Sequence, residues 1–115
     1  MQVIIARVAA ASLTLGALPY SPVQAAGAEP TVAQIYQAFR SGHLEQAQQM
    51  LDRVLRDHPD SAKAHFVQAE IDAAEGHRDL ARSELARAEQ LKPGLPDVKP
   101  HSVQQLKAKL GLPAD

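Results

Sequence analysis

The sequence predicts an all-α fold: two antiparallel helical hairpins followed by a C-terminal capping helix. Three observations support this expectation. Apolar residues recur at intervals of three and four positions rather than two, which is the spacing of one helix face. Glycine and proline stand between the apolar stretches, where helices end. The chain also repeats itself at an offset of 34 residues, so each repeat should be one helical hairpin.

Residues 1–25 have the organisation of a secretory signal peptide. An uncharged apolar run over residues 8–20 follows Arg7, and the small residues that end at Ala25 fit a cleavage site. The competing interpretation is a membrane anchor, but a span needs about 20 apolar residues, and this run is shorter and interrupted by glycine and proline. We therefore expect cleavage after Ala25, a periplasmic or secreted protein, and no membrane span after cleavage.

Two repeats are expected, over residues 28–61 and 62–95. The aligned pairs are Gly42 and Gly76, His43 and His77, Ala47 and Ala81, Leu51 and Leu85, and Pro59 and Pro93. The two glycines can supply the left-handed residue that ends a first helix, and the two prolines stop the second helices.

Capping residues mark where each hairpin begins. The Thr31 hydroxyl can cap the first helix while Gln34 reaches back as the third residue of a capping box. Ser61 stands at the equivalent place before the second hairpin. Both starts agree with the boundaries that the repeat predicts.

A last helix is expected within residues 96–115, as a capping helix and tail. Ser102 and Gln105 have the spacing of another capping box, and Gly111 follows as the expected end. The apolar stripe of this helix consists of Val103, Leu106 and Leu110.

The repeat resembles the tetratricopeptide repeat family. The likeness rests on small and apolar residues at fixed positions. In the second repeat these are Ala69, Gly76, Ala81, Leu85, Ala88 and Pro93, and in the first they are Gly42, Ala47, Leu51, Val54 and Pro59. The resemblance covers residues 28–95 and implies a right-handed stack of helical hairpins whose first helices line a concave binding face. It implies no chemistry.

Composition excludes several functional classes. The net charge is −1, and Lys and Arg alternate with Asp and Glu along the predicted helices, so a nucleic-acid partner is not expected. The chain has no cysteine, which excludes a disulfide scaffold, a thiolate nucleophile and a lipid anchor on cysteine.

Histidines are the main candidates for chemistry, and their spacing does not favour it. His43 and His77 lie in equivalent turns about one repeat apart, too far to share a zinc ion. His58 and His65 have no carboxylate at a spacing that would orient either as a base. We therefore predict no enzyme activity, no catalytic residue, no metal site and no cofactor.

The polar and apolar faces of the first helices depart from the family. Positions that the family buries hold Thr31, Gln34 and Ala38 in the first repeat, and His65, Gln68 and Asp72 in the second. The larger apolar residues stand instead where the family faces its groove; they are Val32, Tyr36 and Phe39, then Phe66 and Ala73.

Two explanations of this stripe stay open. The first helices can be rotated, so that the stripe is the core of a short degenerate repeat. Alternatively the groove is apolar and is covered by a partner, by the chain's own C-terminal helix, or by a second copy. On the groove interpretation the predicted partner-binding residues are Val32, Tyr36, Phe39, Arg40, Lys63, Phe66, Val67 and Glu70.

The leading functional hypothesis is a non-catalytic adaptor of the bacterial cell envelope that binds a helix or segment of another protein. The first alternative is a self-associating structural module whose partner is a second copy. A metal carrier or enzyme is the remote alternative.

Overall fold

The computed structural model describes residues 29–114. These residues form five α-helices, and no strand occurs among them. The all-α prediction is therefore confirmed. The predicted signal peptide and its cleavage after Ala25 lie outside the described residues.

The first helix pair consists of α1, Val32–Arg40, and α2, Leu44–Asp57, which pack against each other. The predicted capping box at the start of α1 is confirmed. The Thr31 hydroxyl accepts from the Gln34 amide at 3.1 Å, and the Gln34 side-chain oxygen accepts from the Thr31 amide at 2.9 Å. Gly42, at φ +84°, turns the chain between the two helices in the left-handed conformation predicted for it.

The second helix pair consists of α3, Ala62–Ala74, and α4, Arg78–Leu91. The Ser61 hydroxyl caps α3 by accepting from a first-turn amide at 3.1 Å, as the sequence predicts. Gly76, at φ +85°, has the same conformation as its counterpart one repeat earlier. Each pair thus begins with a side-chain cap and turns at a left-handed glycine.

The last helix, α5, covers Pro100–Lys109, and its predicted start is wrong. Lys99 is the N-cap, and Ser102 and Gln105 lie inside the helix instead of forming a capping box. The reason is the proline at the first helical position: its fixed φ suits that position, and its missing N–H is not needed there. Gly111, at φ +73°, follows the helix as expected.

Polar contacts from α4 hold the C-terminal part of α5. The Arg82 guanidinium donates to the Leu110 carbonyl oxygen at 2.8 and 3.3 Å. In the last turn of the helix, the Lys107 ammonium lies 3.3 Å from the Glu89 carboxylate. Because the last carbonyls of a helix lack partners of their own, the Arg82 contact both caps α5 and ties it to the second pair.

Two apolar cores lie on opposite sides of α3. The first core joins α1, α2 and α3, and its buried residues are Ile35, Ala38, Ala47, Leu51, Val54, Ala64, Val67 and Ile71. The second core joins α3, α4 and the C-terminal segment, and its buried residues are Ala62, Phe66, Ala69, Ala81, Leu85, Ala88, Leu95, Val98, Val103, Leu106 and Leu110. The central helix is therefore enclosed by its neighbours.

Two polar residues of α3, Gln68 and Asp72, are also buried, and they are hydrogen-bonded. Gln68 and Asp72 are 9% and 6% exposed. The amides of Gln68 and Gln48 on α2 donate to each other at 2.7 and 2.8 Å, and Gln68 donates to the Asp72 carboxylate at 3.0 Å. These two residues of the unusual polar face thus lie inside the fold with hydrogen-bond partners, as buried polar groups require.

Candidate binding cleft

A cleft lies between α1 and α5, with α3 at its floor. It consists of two adjoining cavities of about 530 and 440 Å³ that share Phe39, Glu70 and Ser102. The remaining lining residues are Val32, Ala33, Tyr36, Arg40, Lys63, Asp97, Val98, Lys99, Gln105, Leu106, Ala108 and Lys109. This surface is called the α1–α5 cleft below.

Tyr36 and Glu70 form the polar centre of the cleft. The Tyr36 hydroxyl donates to the Glu70 carboxylate, and the two residues stand 34 positions apart, which is the offset of the sequence repeat. The bond links α1 directly to α3. It also occupies the one carboxylate at the floor of the cleft.

Burial shifts the pKa of both partners. Desolvation is the main cause that raises the pKa of the Tyr36 hydroxyl, and the hydrogen bond to Glu70 and the charge of Glu70 add to it. Desolvation likewise raises the pKa of the Glu70 carboxyl, against the opposing effects of the Tyr36 hydrogen bond and the Lys109 charge. The Tyr36 hydroxyl therefore stays a neutral donor across the physiological range.

The α1 wall of the cleft is aromatic and half-buried. The Tyr36 and Phe39 rings lie 6.5 Å apart between centroids and are tilted by 52°, and the Arg40 guanidinium lies 5.8 Å above the Tyr36 ring. Val32, Tyr36 and Phe39 pack on the first core with one side and keep part of their surface uncovered. Aromatic and arginine side chains in a half-buried setting are the types enriched at protein interfaces.

Six of the eight predicted partner-binding residues line this cleft. They are Val32, Tyr36, Phe39, Arg40, Lys63 and Glu70. The prediction is wrong for Phe66 and Val67, which are both 0% exposed. Phe66 lies in the second core, where the C-terminal segment covers it, and Val67 faces α1 and α2 in the first core.

The cover over the apolar stripe differs between the two first helices. On α3 the stripe is buried, because the C-terminal segment joins Phe66 in the second core, and this is one of the covers that the groove explanation allows. On α1, Val32, Tyr36 and Phe39 remain at the edge of an open cleft.

Sequence reasoning missed the second wall of the cleft. That wall comes from α5 and the loop before it, through Val98, Lys99, Ser102, Gln105 and Lys109. The sequence did contain a signal for this wall. These residues recur every three or four positions and so form one face of α5, next to its apolar stripe. The sequence alone did not indicate which helix this face would approach.

The His65 imidazole has a carboxylate partner that the sequence analysis did not expect. Its Nδ1 lies 2.7 Å from Glu84 Oε1 on α4, and its Nε2 lies 2.8 Å from the Pro59 carbonyl oxygen. The expectation that no carboxylate orients this ring is wrong, because packing of α3 on α4 joins residues 19 positions apart. Both ring nitrogens are occupied within the chain, so neither is available as a base toward a substrate.

The other histidines lie at helix ends. His43 and His77 are the exposed N-caps of α2 and α4, and His58 Nε2 lies 3.0 Å from the Glu29 carboxylate. Asp72, Glu75 and His77 bring ligand-type atoms within 4.8 Å of one another. The Gln68 amide contacts Asp72, and His77 Nδ1 lies 3.5 Å from Glu75, so these groups have partners within the chain.

Comparisons with protein-family models, with curated proteins and with solved structures find no match to this chain. Among residues 29–114, no helix has both the length and the apolar character that a membrane crossing requires. Any functional conclusion therefore rests on the α1–α5 cleft itself.

Proposed function

We propose that the protein is a non-catalytic interaction module, built from two tetratricopeptide-type repeats over residues 28–61 and 62–95, that binds a segment of another protein in the α1–α5 cleft. One observation carries this proposal. Six residues that the sequence predicts to bind a partner meet around one cleft, beside a wall that the C-terminal helix adds.

The aromatic wall supports a binding role. Tyr36 and Phe39 are two of the three aromatic side chains that follow the predicted signal peptide, and both lie at this cleft. An apolar side chain of a partner placed against them would remove their remaining surface from water, at about 25 cal/mol per Å² of apolar area. Such anchors provide most of the binding energy at interfaces.

The state of the histidines supports a role without catalysis. A base needs a free ring nitrogen within hydrogen-bond reach of a substrate proton. The most enclosed histidine, His65, uses both nitrogens inside the fold. None of the residues lining the cleft is histidine or cysteine, the types that most often act as base or nucleophile.

Site-specific photo-crosslinking in cells tests the proposal. A photoreactive amino acid is placed at Ala33 or Ala108, which line opposite walls of the cleft, and at Ala86 on α4 as the matched control. All three alanines are exposed on helices. We expect an adduct of defined mass from Ala33 and Ala108 and none from Ala86.

The mass of the adduct identifies the class of partner. A product larger than the chain by the mass of a different protein supports the adaptor. A product of twice the chain's mass supports the self-associating alternative instead. Absence of any adduct at both cleft positions, with efficient labelling, would contradict a binding role for this cleft.

Export is part of the same proposal, since a signal peptide over residues 1–25 would deliver the module to the cell envelope or beyond. N-terminal sequencing of the protein from the periplasmic fraction should begin at Ala26. Recovery of the intact chain in the membrane fraction would replace the signal peptide with an anchor.

A further inference from the structure

Four cationic side chains surround the α1–α5 cleft. Arg40 extends from α1 and Lys63 from α3, while Lys99 and Lys109 stand at the two ends of α5. Within the described residues, none of the four forms an ion pair. Arg40 contacts the Tyr36 ring through its guanidinium, which fixes its position without neutralising it.

The two carboxylates of the cleft are already occupied. Glu70 accepts the hydrogen bond from Tyr36. Asp97 lies 2.7 Å from the Lys92 ammonium, and this contact lowers the pKa of its carboxyl. Lys109 and Lys63 act on these two carboxyls only through space, beyond ion-pair distance. The cleft therefore presents more positive charge than it neutralises.

This positive charge is local. The whole chain carries 12 Lys and Arg against 13 Asp and Glu, a net charge of −1. Because the protein as a whole is negatively charged, it does not attract anionic partners in general. A positively charged cleft on such a protein attracts them only at the cleft, which makes the charge a source of specificity. The clustering around one half-apolar cleft is thus a specific feature of this site.

We infer that the occupant of the cleft is an acidic segment of a partner protein, with carboxylates that face the four cations and at least one apolar side chain that packs on Val32 and Phe39. This inference rests on the proposed function. It adds the chemical class of the partner to the location of the binding site.

The geometry limits the length of the segment. Lys99 and Lys109 are ten residues apart on α5, or about 15 Å along a helix that rises about 1.5 Å per residue. An extended strand covers that distance with about five residues, at about 3.3 Å each. The apolar surface lies between the two ends, so the expected pattern has acidic residues on both sides of an apolar one.

Selection from a random peptide library tests this pattern. The mature protein is immobilised as the target, and the selected peptides are synthesised and their affinities are measured by fluorescence anisotropy. We expect enrichment of Asp and Glu around an apolar residue, and binding that weakens as salt rises from about 0.05 to 0.5 M. Selected peptides that are neutral or basic would overturn the inference.

Charge reversal locates the binding to the cleft. The double variant Lys63→Glu with Lys99→Glu should bind the selected peptides about tenfold or more weakly, because attraction becomes repulsion at two rim positions. Arg87→Glu, an exposed cation on α4 outside the cleft, is the matched control and should leave affinity unchanged. Melting curves followed by circular dichroism establish that both variants fold. Equal affinities of the folded double variant and the native protein would overturn the inference.

Two further outcomes separate the inference from the proposed function. Crosslinking to a protein partner at Ala33, together with selected peptides that lack acidic residues, would overturn the inference and leave the proposed function standing. Binding to vesicles of phosphatidylglycerol that depends on Lys63 and Lys99, with no acidic peptide selected, would assign the cations to an anionic lipid surface and overturn both.

Discussion

The two helix pairs have the same kinds of cap and turn, but they differ in which part of the chain covers their first helices. Val32 and Phe66 occupy equivalent positions, one repeat apart, on α1 and α3. Val32 keeps part of its surface exposed at the α1–α5 cleft, whereas Phe66 is 0% exposed beneath the C-terminal helix. Two positions 34 residues apart are thus partly exposed at a cleft in one pair and core in the other.

The difference comes from the chain that follows each pair. After the second pair, residues 95–110 fold back and contribute five of the eleven buried residues of the second core. The face of α1 that carries Val32 receives no comparable cover from the rest of the described chain. We conclude that the C-terminal segment, rather than the sequence of the helix itself, decides which apolar stripe becomes core.

The largest expected effect is on Phe66. Phe66→Glu places a carboxylate in the second core and should cost about 4 kcal/mol or more, enough to unfold a domain of this size. Its equivalent, Val32→Glu, should cost about 1 kcal/mol, because the carboxylate can reach water. Thermal melting followed by circular dichroism compares the two. Equal losses would mean that Val32 is as enclosed as Phe66 and would remove the contrast between the pairs.

The second largest expected effect is on the packing of α5 against the second core. Leu106 on α5 is 4% exposed in the second core, and Leu106→Ala should lower the free energy of unfolding by about 3 kcal/mol. Leu80→Ala, at a leucine that is 57% exposed on α4, is the control and should change it by less than about 0.5 kcal/mol. Urea denaturation measures both. If Leu106→Ala lowers the free energy of unfolding no more than Leu80→Ala does, α5 does not cover the second core.

The turns are where the two pairs should not differ. Gly42 and Gly76 have nearly the same φ, and a Cβ at either would meet no atom within 4 Å, so only backbone strain opposes a side chain. Gly42→Val and Gly76→Val should each cost about 1 kcal/mol or more, by similar amounts. Arg87→Gln, an exposed change on α4, should cost less than either. If all three variants have the same melting temperature, Gly42 and Gly76 do not form the turns between the helices.

The smallest expected effect is on the pH dependence of stability, through Glu70, whose bond to Tyr36 links the two helix pairs. Because burial raises the pKa of Glu70 in the folded state above its ordinary value of 4.5, the folded state binds more protons between these two pKa values. The stability that Glu70 contributes is therefore present below pH 4.5 and is lost as pH rises through the folded pKa. Glu70→Gln should reduce this loss in unfolding curves measured from pH 4 upward.

Asp97→Asn provides the comparison of opposite sign. The Lys92 ammonium lowers the pKa of Asp97, so its contribution is present above the ordinary value of 3.8 and is lost as pH falls. This carboxylate is exposed, so its effect should be weaker and should fade in high salt. A stability difference between Glu70→Gln and the native protein that does not vary with pH would contradict the burial of Glu70.

Local chemistry made much of the helical structure predictable. The capping box of Thr31 and Gln34, the Ser61 cap and the glycine turns follow from side-chain and backbone preferences within a few residues. The start of α5 was wrong because two local signals competed. Proline at the first helical position prevailed over the serine two residues later.

The candidate site was predictable on one side only. The α1 wall follows from the repeat, which marks Val32, Tyr36 and Phe39 as groove-facing. The α5 wall and the contact between His65 and Glu84 join residues distant in sequence, and no spacing rule predicts such contacts. Phe66 and Val67 were misassigned for the same reason, since burial depends on neighbours that a helical pattern does not identify.

By itself the sequence determined the helical class and the helix ends that Thr31, Ser61, Gly42 and Gly76 mark. These features depend on interactions within about one helical turn or one tight turn, which local residue types decide. Only the tertiary structure decided that α5 would bury Phe66, that Tyr36 would meet Glu70, and that four cations would surround one cleft. These outcomes depend on how separate helices pack, because the same apolar or charged face can lie against a neighbour or against water.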